Sequence, residues 1–266
     1  MKRAVWLTDP HLNFLSETRL PAFLDEVADA RPNALLISGD IGESHNVCEY
    51  LGLVLGSLGV PIYFVLGNHD FYYGSIRGTR ERVAEFCKQH PRLHYLSIES
   101  ALELTPRVGL VGHDGWADGR LGDYRRSMVR MLDWKLIEEF SGRDAEARWD
   151  VLKALANEAA EHIRLVLPEA LARFDEVLLV THVPPFLGAC WHEGAISNEQ
   201  WSPHFTSKAM GETILEIMDA EPGKKLTVLC GHTHGEGEFE AAENVLVYTG
   251  GADYGSPRIV RVFELE

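Results

Sequence analysis

The feature that most constrains this chain is where its apolar runs stop. Ala4–Thr8, Ala34–Ser38, Ile62–Leu66, Val177–Thr181 and Leu226–Cys230 are short and mostly apolar, and each leads directly into a loop carrying Gly, Asp, Asn or His. Such runs read as strands buried on both faces. Helical patterns lie between and after the first three, at about Glu17–Ala30, at Val47–Leu58 behind the Glu43-Ser44 start signal, and at Arg80–Gln89. Strand–helix–strand repetition predicts one parallel sheet covered by helices. Ligands of such sheets gather beyond the carboxyl ends of the strands, which is where the polar loops fall. Val108–Val111, Val245–Thr249 and Ile259–Phe263 are further expected strands. The last two, with Glu238–Ala241, lack intervening helices and read as an antiparallel second half. A charged, helix-rich stretch from Asp123 to Arg173 is expected to form an insertion or cap, within about 113–175, on a single domain of 266 residues. No repeat and no Pro/Gly/Ser-rich linker divides the chain.

The loops carry Asp9-Pro10-His11, Gly39-Asp40, Gly67-Asn68-His69-Asp70, Thr181-His182 and Gly231-His232-Thr233-His234. A lone D-x-H or Gly-Asp is ordinary turn chemistry. Placed together at the ends of adjacent strands, their side chains should converge. Mixed imidazole and carboxylate donors suit manganese, iron or zinc and do not make a calcium or magnesium cage. Asp9, His11, Asp40, Asn68, His182, His232 and His234 are too many ligands for one catalytic zinc, which takes about three. Two metals sharing a carboxylate fit the count. Water between two cations loses a proton readily and becomes the nucleophile. His69, outside the ligand set, is the expected proton donor to the leaving group. Asp70, its neighbour, is expected to orient that imidazole.

The series D-x-H, G-D, G-N-H-D, H and G-H-x-H resembles that of the calcineurin-like metallophosphoesterase superfamily, from Asp9 to His234. The resemblance implies an α/β fold, a four-layer αββα sandwich in which a mixed β-sandwich is flanked by helices. It implies that Asp9, His11, Asp40 and His234 hold one metal and that Asp40, Asn68, His182 and His232 hold the other. Asp40 would be the bridge, and His69 would match the catalytic histidine. The phosphoprotein-phosphatase branch of that family carries phosphate-clamping arginines after its Gly-Asp and Gly-Asn-His motifs. Here Glu43 and Phe71-Tyr72-Tyr73 occupy those neighbourhoods, which argues against a protein Ser/Thr phosphatase.

Charge and composition narrow the partners. With 25 basic against 40 acidic residues the net charge is −15, which disfavours nonspecific binding to nucleic acid or anionic membranes. The four cysteines form no C-x-x-C pair, so neither a disulfide scaffold nor a thiolate zinc site is suggested. No stretch approaches the ~20 apolar residues of a membrane span. The apolar run after Met1-Lys2-Arg3 ends at Thr8-Asp9, short of the roughly 7–15 residues of a secretory signal, and a cytoplasmic location is expected. Two long segments are the expected pocket walls: Gly112–Tyr124, with His113, Trp116 and Arg120, and Val183–Pro203, with His192 and Trp201. Tyr254 and Arg258 follow the Gly250-Gly251 turn as further candidates. Neither wall segment carries a Lys/Arg run of the kind that grips a nucleic-acid backbone. The expected substrate is a small phosphorylated mono- or diester, and long nucleic acid is not expected. The alternatives are a nuclease or pyrophosphohydrolase of the same superfamily, or a non-catalytic protein-binding module. Such a module should have shed ligands, and this chain retains them all.

Overall fold

Alternation within the buried strands decides the architecture. The structure, a computed structural model, describes residues 2–266. In chain order β1 (Lys2–Leu7), α1 (Arg19–Asp29), β2 (Ala34–Ser38), α2 (Val47–Leu58), β3 (Ile62–Val65), α3 (Ile76–Gln89) and β4 (Leu93–Tyr95) build a parallel half. A second half follows with β5 (Leu102–Glu103), β6 (Val108–His113), α4 (Asp133–Leu136), α5 (Ala145–Arg173) and β7 (Glu176–Thr181). The small hairpin of β8 (Trp191–His192) and β9 (Ala195–Ile196) comes next, then α6 (Ser202–Phe205) and α7 (Lys208–Asp219). The chain ends with β10 (Lys225–Cys230), β11 (Gly237–Ala242), β12 (Val245–Thr249) and β13 (Arg261–Leu265).

These strands form two main sheets, where periodicity alone suggested one. The five-stranded sheet has the order β13-β1-β2-β3-β4, and the six-stranded sheet the order β11-β12-β10-β7-β6-β5. The antiparallel second half is also corrected. β11 doubles back outside β12, so β12 lies parallel to β10. β13 crosses to the first sheet and pairs antiparallel with β1.

The sheets pack face to face. Ala4, Trp6, Ala34, Leu36 and Val65 point inward against Leu110, Leu178, Val180 and Leu229. The alternate residues Val5, Leu35, Ile37 and Phe64 point outward to Phe23, Val27 and Leu51 of the covering helices. On the other side Leu179, Val228 and Val247 meet Ile163, Leu167 and Ile214 of α5 and α7. Burying such side chains contributes about 1.5–3 kcal/mol each, so strands apolar on both faces are satisfied only between a second sheet and a helical layer. The result is helix–sheet–sheet–helix. Helix α5 belongs to the outer layer, packed on β6 and α7, and is not a cap. The irregular stretch 114–144, with α4, reaches the strand ends through Asp133, and the segment of β8, β9 and α6 reaches them through His192 and His204. Among the described residues no helix is long and apolar enough to cross a membrane.

Candidate metal centre

Backbone geometry brings the polar loops together at the carboxyl ends of β1, β2, β3, β7 and β10. Asp9 N–H donates to the Gly39 carbonyl (3.1 Å), His11 N–H to Asp40 (2.9 Å) and Gly231 N–H to His182 (2.9 Å). Asp9, His11, Asp40, His232 and His234 all have positive φ, between 41° and 71°. Non-glycine residues seldom adopt that region, and Asp and His are among those that tolerate it best. Such strain, about 1–3 kcal/mol per residue, clusters where function needs it. Two glycines permit the close approach: a Cβ on Gly67 would strike the Asp40 carboxylate, and one on Gly231 would strike that of Asp9.

Two groups of ligand atoms result. In the first, Asp9, His11, Asp40 and His234 offer atoms that all lie within 4.8 Å of one another. His11 Nε2 is 3.2 Å from His234 Nε2 and 3.7 Å from Asp40 Oδ2. In the second, Asn68 Oδ1 is 3.0 Å from His182 Nε2 and 2.9 Å from His232 Nδ1. Those two ring nitrogens are 3.2 Å apart, and His182 Nε2 is 3.5 Å from Asp40 Oδ1. Asp40 therefore turns one oxygen to each group.

The hydrogen bonds behind these atoms determine what the second group can hold. His182 Nδ1 lies 2.9 Å from the Ser38 carbonyl, and His232 Nε2 lies 3.0 Å from that of His204. Each of these ring nitrogens carries a proton toward its carbonyl, so that the neutral rings present lone pairs at His182 Nε2 and His232 Nδ1. The Asn68 amide donates its Nδ2 to Asp133 Oδ1 (2.9 Å), so its oxygen faces the same point. Three acceptors converging within 3.2 Å are matched to a cation.

Charge agrees with this. Asp9 is pushed up by burial and by Asp40, against His182 and His234. Asp40 is held below the ordinary carboxylate range because the His182, His69, His11 and His232 rings outweigh its burial. His11 and His232 are each lowered to about 3, mainly by burial. Buried Asp114 and Asp118 have Arg80 and Arg120 as partners. Among the described residues, the ion-pair partners of Asp9 and Asp40 are all imidazoles. Buried carboxylates without a Lys or Arg partner call for a further positive charge.

A family model, calcineurin-like phosphoesterase, matches residues 2–236. The chain belongs to the calcineurin-like phosphoesterase family. It is a metal-dependent phosphoesterase by that membership. Among solved structures it resembles the phosphopantetheinyl hydrolase of Mycobacterium tuberculosis, with a TM-score of 0.67 at 14% identity, covering 95% of this chain and 89% of that one. It also resembles a dimetal phosphatase from Danio rerio, with a TM-score of 0.59 at 15% identity, covering 96% and 89%. At such identities the likeness is one of fold. No curated sequence matches.

The structure places the remaining expected site residues of this phosphoesterase unevenly. The His69 ring stacks on Tyr72 at 4.3 Å and meets His11 edge-on at 4.7 Å. Its Nε2 is 3.5 Å from the Tyr254 hydroxyl at the site mouth. Asp70 does not orient that ring. His69–Phe71 form a 3-10 turn, which splays adjacent side chains apart. Both Asp70 oxygens instead accept backbone N–H groups, from Ile41, Gly42 and Gly67. His192 and Trp201 pack with Phe205, whose ring meets His232 edge-on at 5.2 Å.

The Gly112–Tyr124 segment needs correction. His113 is buried beside His162 of α5 (5.2 Å), away from the ligand groups. Trp116 is a core residue between Phe71 and Phe140, each at 5.7 Å. It also lines, with Asn68, His182 and His232, a cavity of about 10 Å³, room for a single water. The Arg120 guanidinium is occupied by Asp118 (2.9 Å) and Asn157 (2.8 Å). Sequence reasoning missed Asp133, which anchors Asn68, and the His204 carbonyl, which fixes His232. Neither lies in a motif.

Proposed function

We propose that this phosphoesterase works with two manganese, iron or zinc ions and hydrolyses a mono- or diester of a small phosphorylated molecule. The observation that carries the reading is Asp40, whose Oδ2 faces His11 and whose Oδ1 faces His182. Asp9, His11, Asp40 and His234 would hold one ion, and Asp40, Asn68, His182 and His232 the other. When bound, such ions supply Lewis acidity toward a phosphoryl group and lower the pKa of water.

The chain's own groups do the rest. His69, with Nε2 at the mouth, hands a proton to the departing oxygen. Stacking on Tyr72 fixes its plane. Tyr254 and Phe14 form an aromatic wall beside His11 and His234. His192, Trp201 and Phe205 form another beside His232. Aromatic walls on two sides suit an organic group attached to the phosphate. Arg120, Arg125 and Arg126 are already paired with Asp118, Glu146 and Asp123, which argues against a track for a long phosphate backbone.

The test is hydrolysis of nitrophenyl and alkyl phosphate mono- and diesters by metal-reconstituted protein. His69→Ala should slow alkyl esters by about 10²–10⁴-fold, while nitrophenyl esters, whose leaving group hardly needs a proton, are slowed far less. Equal slowing with metals retained would make His69 a phosphate-positioning group. Fully loaded protein that cleaves none of these esters overturns the reading.

A further inference from the structure

Asn68 is the one amide ligand of the proposed set, and its side chain presents two ends of nearly equal size. The oxygen attracts a cation and the NH2 repels one, so something must decide which end faces inward. Asp133 Oδ1 accepts both the Asn68 Nδ2 (2.9 Å) and the Tyr72 hydroxyl (2.8 Å). Asn68 Nδ2 also lies 3.3 Å from the Tyr72 oxygen. All three residues are buried. A turned amide would press its carbonyl oxygen against the Asp133 carboxylate and lose a charge-assisted bond. We propose that Asp133 and Tyr72 form a positioning pair that selects the metal-binding face of Asn68 and, through the Tyr72 ring, holds the plane of His69.

The proposal rests on the two-ion reading above. It gives the 114–144 stretch a task, since α4 delivers Asp133 to the site from beyond the strand ends. The pair couples two functions that lie on one short loop. Tyr72 bonds the group that orients Asn68, and its face carries His69 at an interplanar angle of 29°.

The experiment is Mn²⁺ titration of the full chain by calorimetry, with metal analysis at fixed free Mn²⁺. The wild type should take two equivalents. In Asp133→Ala one equivalent should keep its affinity while the other, that of the Asn68 group, weakens by about 10–100-fold, the usual effect of losing a partner behind a metal ligand. Asp133→Asn, whose carbonyl oxygen accepts the same two bonds, should restore it. Should Asp133→Ala fail to fold, Tyr72→Phe keeps the ring, removes one bond to Asp133 and should weaken the same equivalent alone. Both affinities falling together, or neither falling in the folded variants, overturns the proposal. A wild type that binds two ions and cleaves no phosphoester would remove the catalytic reading and leave this one standing. A wild type that binds one ion overturns both.

Discussion

Asp70→Ala is the most informative single substitution outside the ligand set. The side chain is 0% exposed. Its Oδ1 accepts the N–H groups of Ile41 (2.9 Å) and Gly42 (2.8 Å), and its Oδ2 accepts that of Gly67 (2.8 Å). It therefore ties the loop that carries Asp40 to the loop that carries Asn68. An orphaned buried donor costs about 1–3 kcal/mol, so three cost about 3–9 kcal/mol. A water admitted to the vacated space restores one or two bonds, leaving one or two orphaned donors and about 1–6 kcal/mol of a total of about 5–15. For a chain of this size that lowers Tm by roughly 2–24 °C. Asp70→Asn keeps an oxygen for Ile41 and Gly42 but sets an NH2 against the Gly67 N–H, two donors without an acceptor, and should cost about 2–6 kcal/mol. The assay is urea unfolding followed by circular dichroism, at one fixed free-metal concentration because bound metal adds apparent stability. Asp70→Ala with a near wild-type midpoint and a depressed kcat would refute this reasoning and return Asp70 to the His69 ring.

Asp40→Asn should weaken binding of both ions, whereas His11→Ala should mainly weaken one; a single metal equivalent in fully loaded, active wild type would refute the shared carboxylate. Tyr254→Phe keeps the ring contacts with His11 and His234 but deletes the hydroxyl beside His69. We expect unchanged metal content and kcat/KM lower by about tenfold, the worth of one hydrogen bond, and unaltered kinetics would exclude the hydroxyl from the reaction. Burial lowers His113 to about 3 from the ordinary 6.5. The unfolded chain therefore takes up the proton first as pH falls, so the His113 contribution to stability is full above about pH 6.5 and lost toward pH 3, by at most about 1.4 kcal/mol per unit. His113→Gln should flatten that part of the stability–pH curve, read from urea midpoints at pH 7 and 5.

Local signals in the sequence were legible where they ended sharply. Ala34–Ser38, Val47–Leu58 and Val245–Thr249 have the same limits in the sequence pattern and in the structure, because apolar runs there meet Gly, Asp or Asn. Sheet membership was not legible from periodicity. A strand buried on both faces looks alike whether its neighbour layer is helix or sheet, and β13 finds β1 from the far end of the chain. Residues that gather through their own loops, such as Asp9, Asp40 and His232, announce themselves by type and spacing. Trp116 could not be placed, since Phe71 and Phe140 reach it from separate segments. Arg120 could have been read better: Asp118, which occupies its guanidinium, is two residues away. Asp133 leaves no local trace, because its role exists only once α4 meets the loop after β3.

Both ligand groups draw on both sheets. Asp9, His11 and Asp40 follow strands of the first and His234 a strand of the second; Asp40 and Asn68 come from the first, His182 and His232 from the second. An ion held by either group is thus a rivet through the sandwich. The first would close a chain segment of 223 residues between His11 and His234. Constraining so long a loop in the unfolded chain is the way a disulfide stabilises a fold. The relation also runs in reverse, since a slip of one layer over the other pulls each coordination sphere apart. Slight loosening between the layers, as from Leu36→Ala at the sandwich centre, should therefore appear as weakened metal affinity at temperatures where the circular dichroism of the fold is still intact.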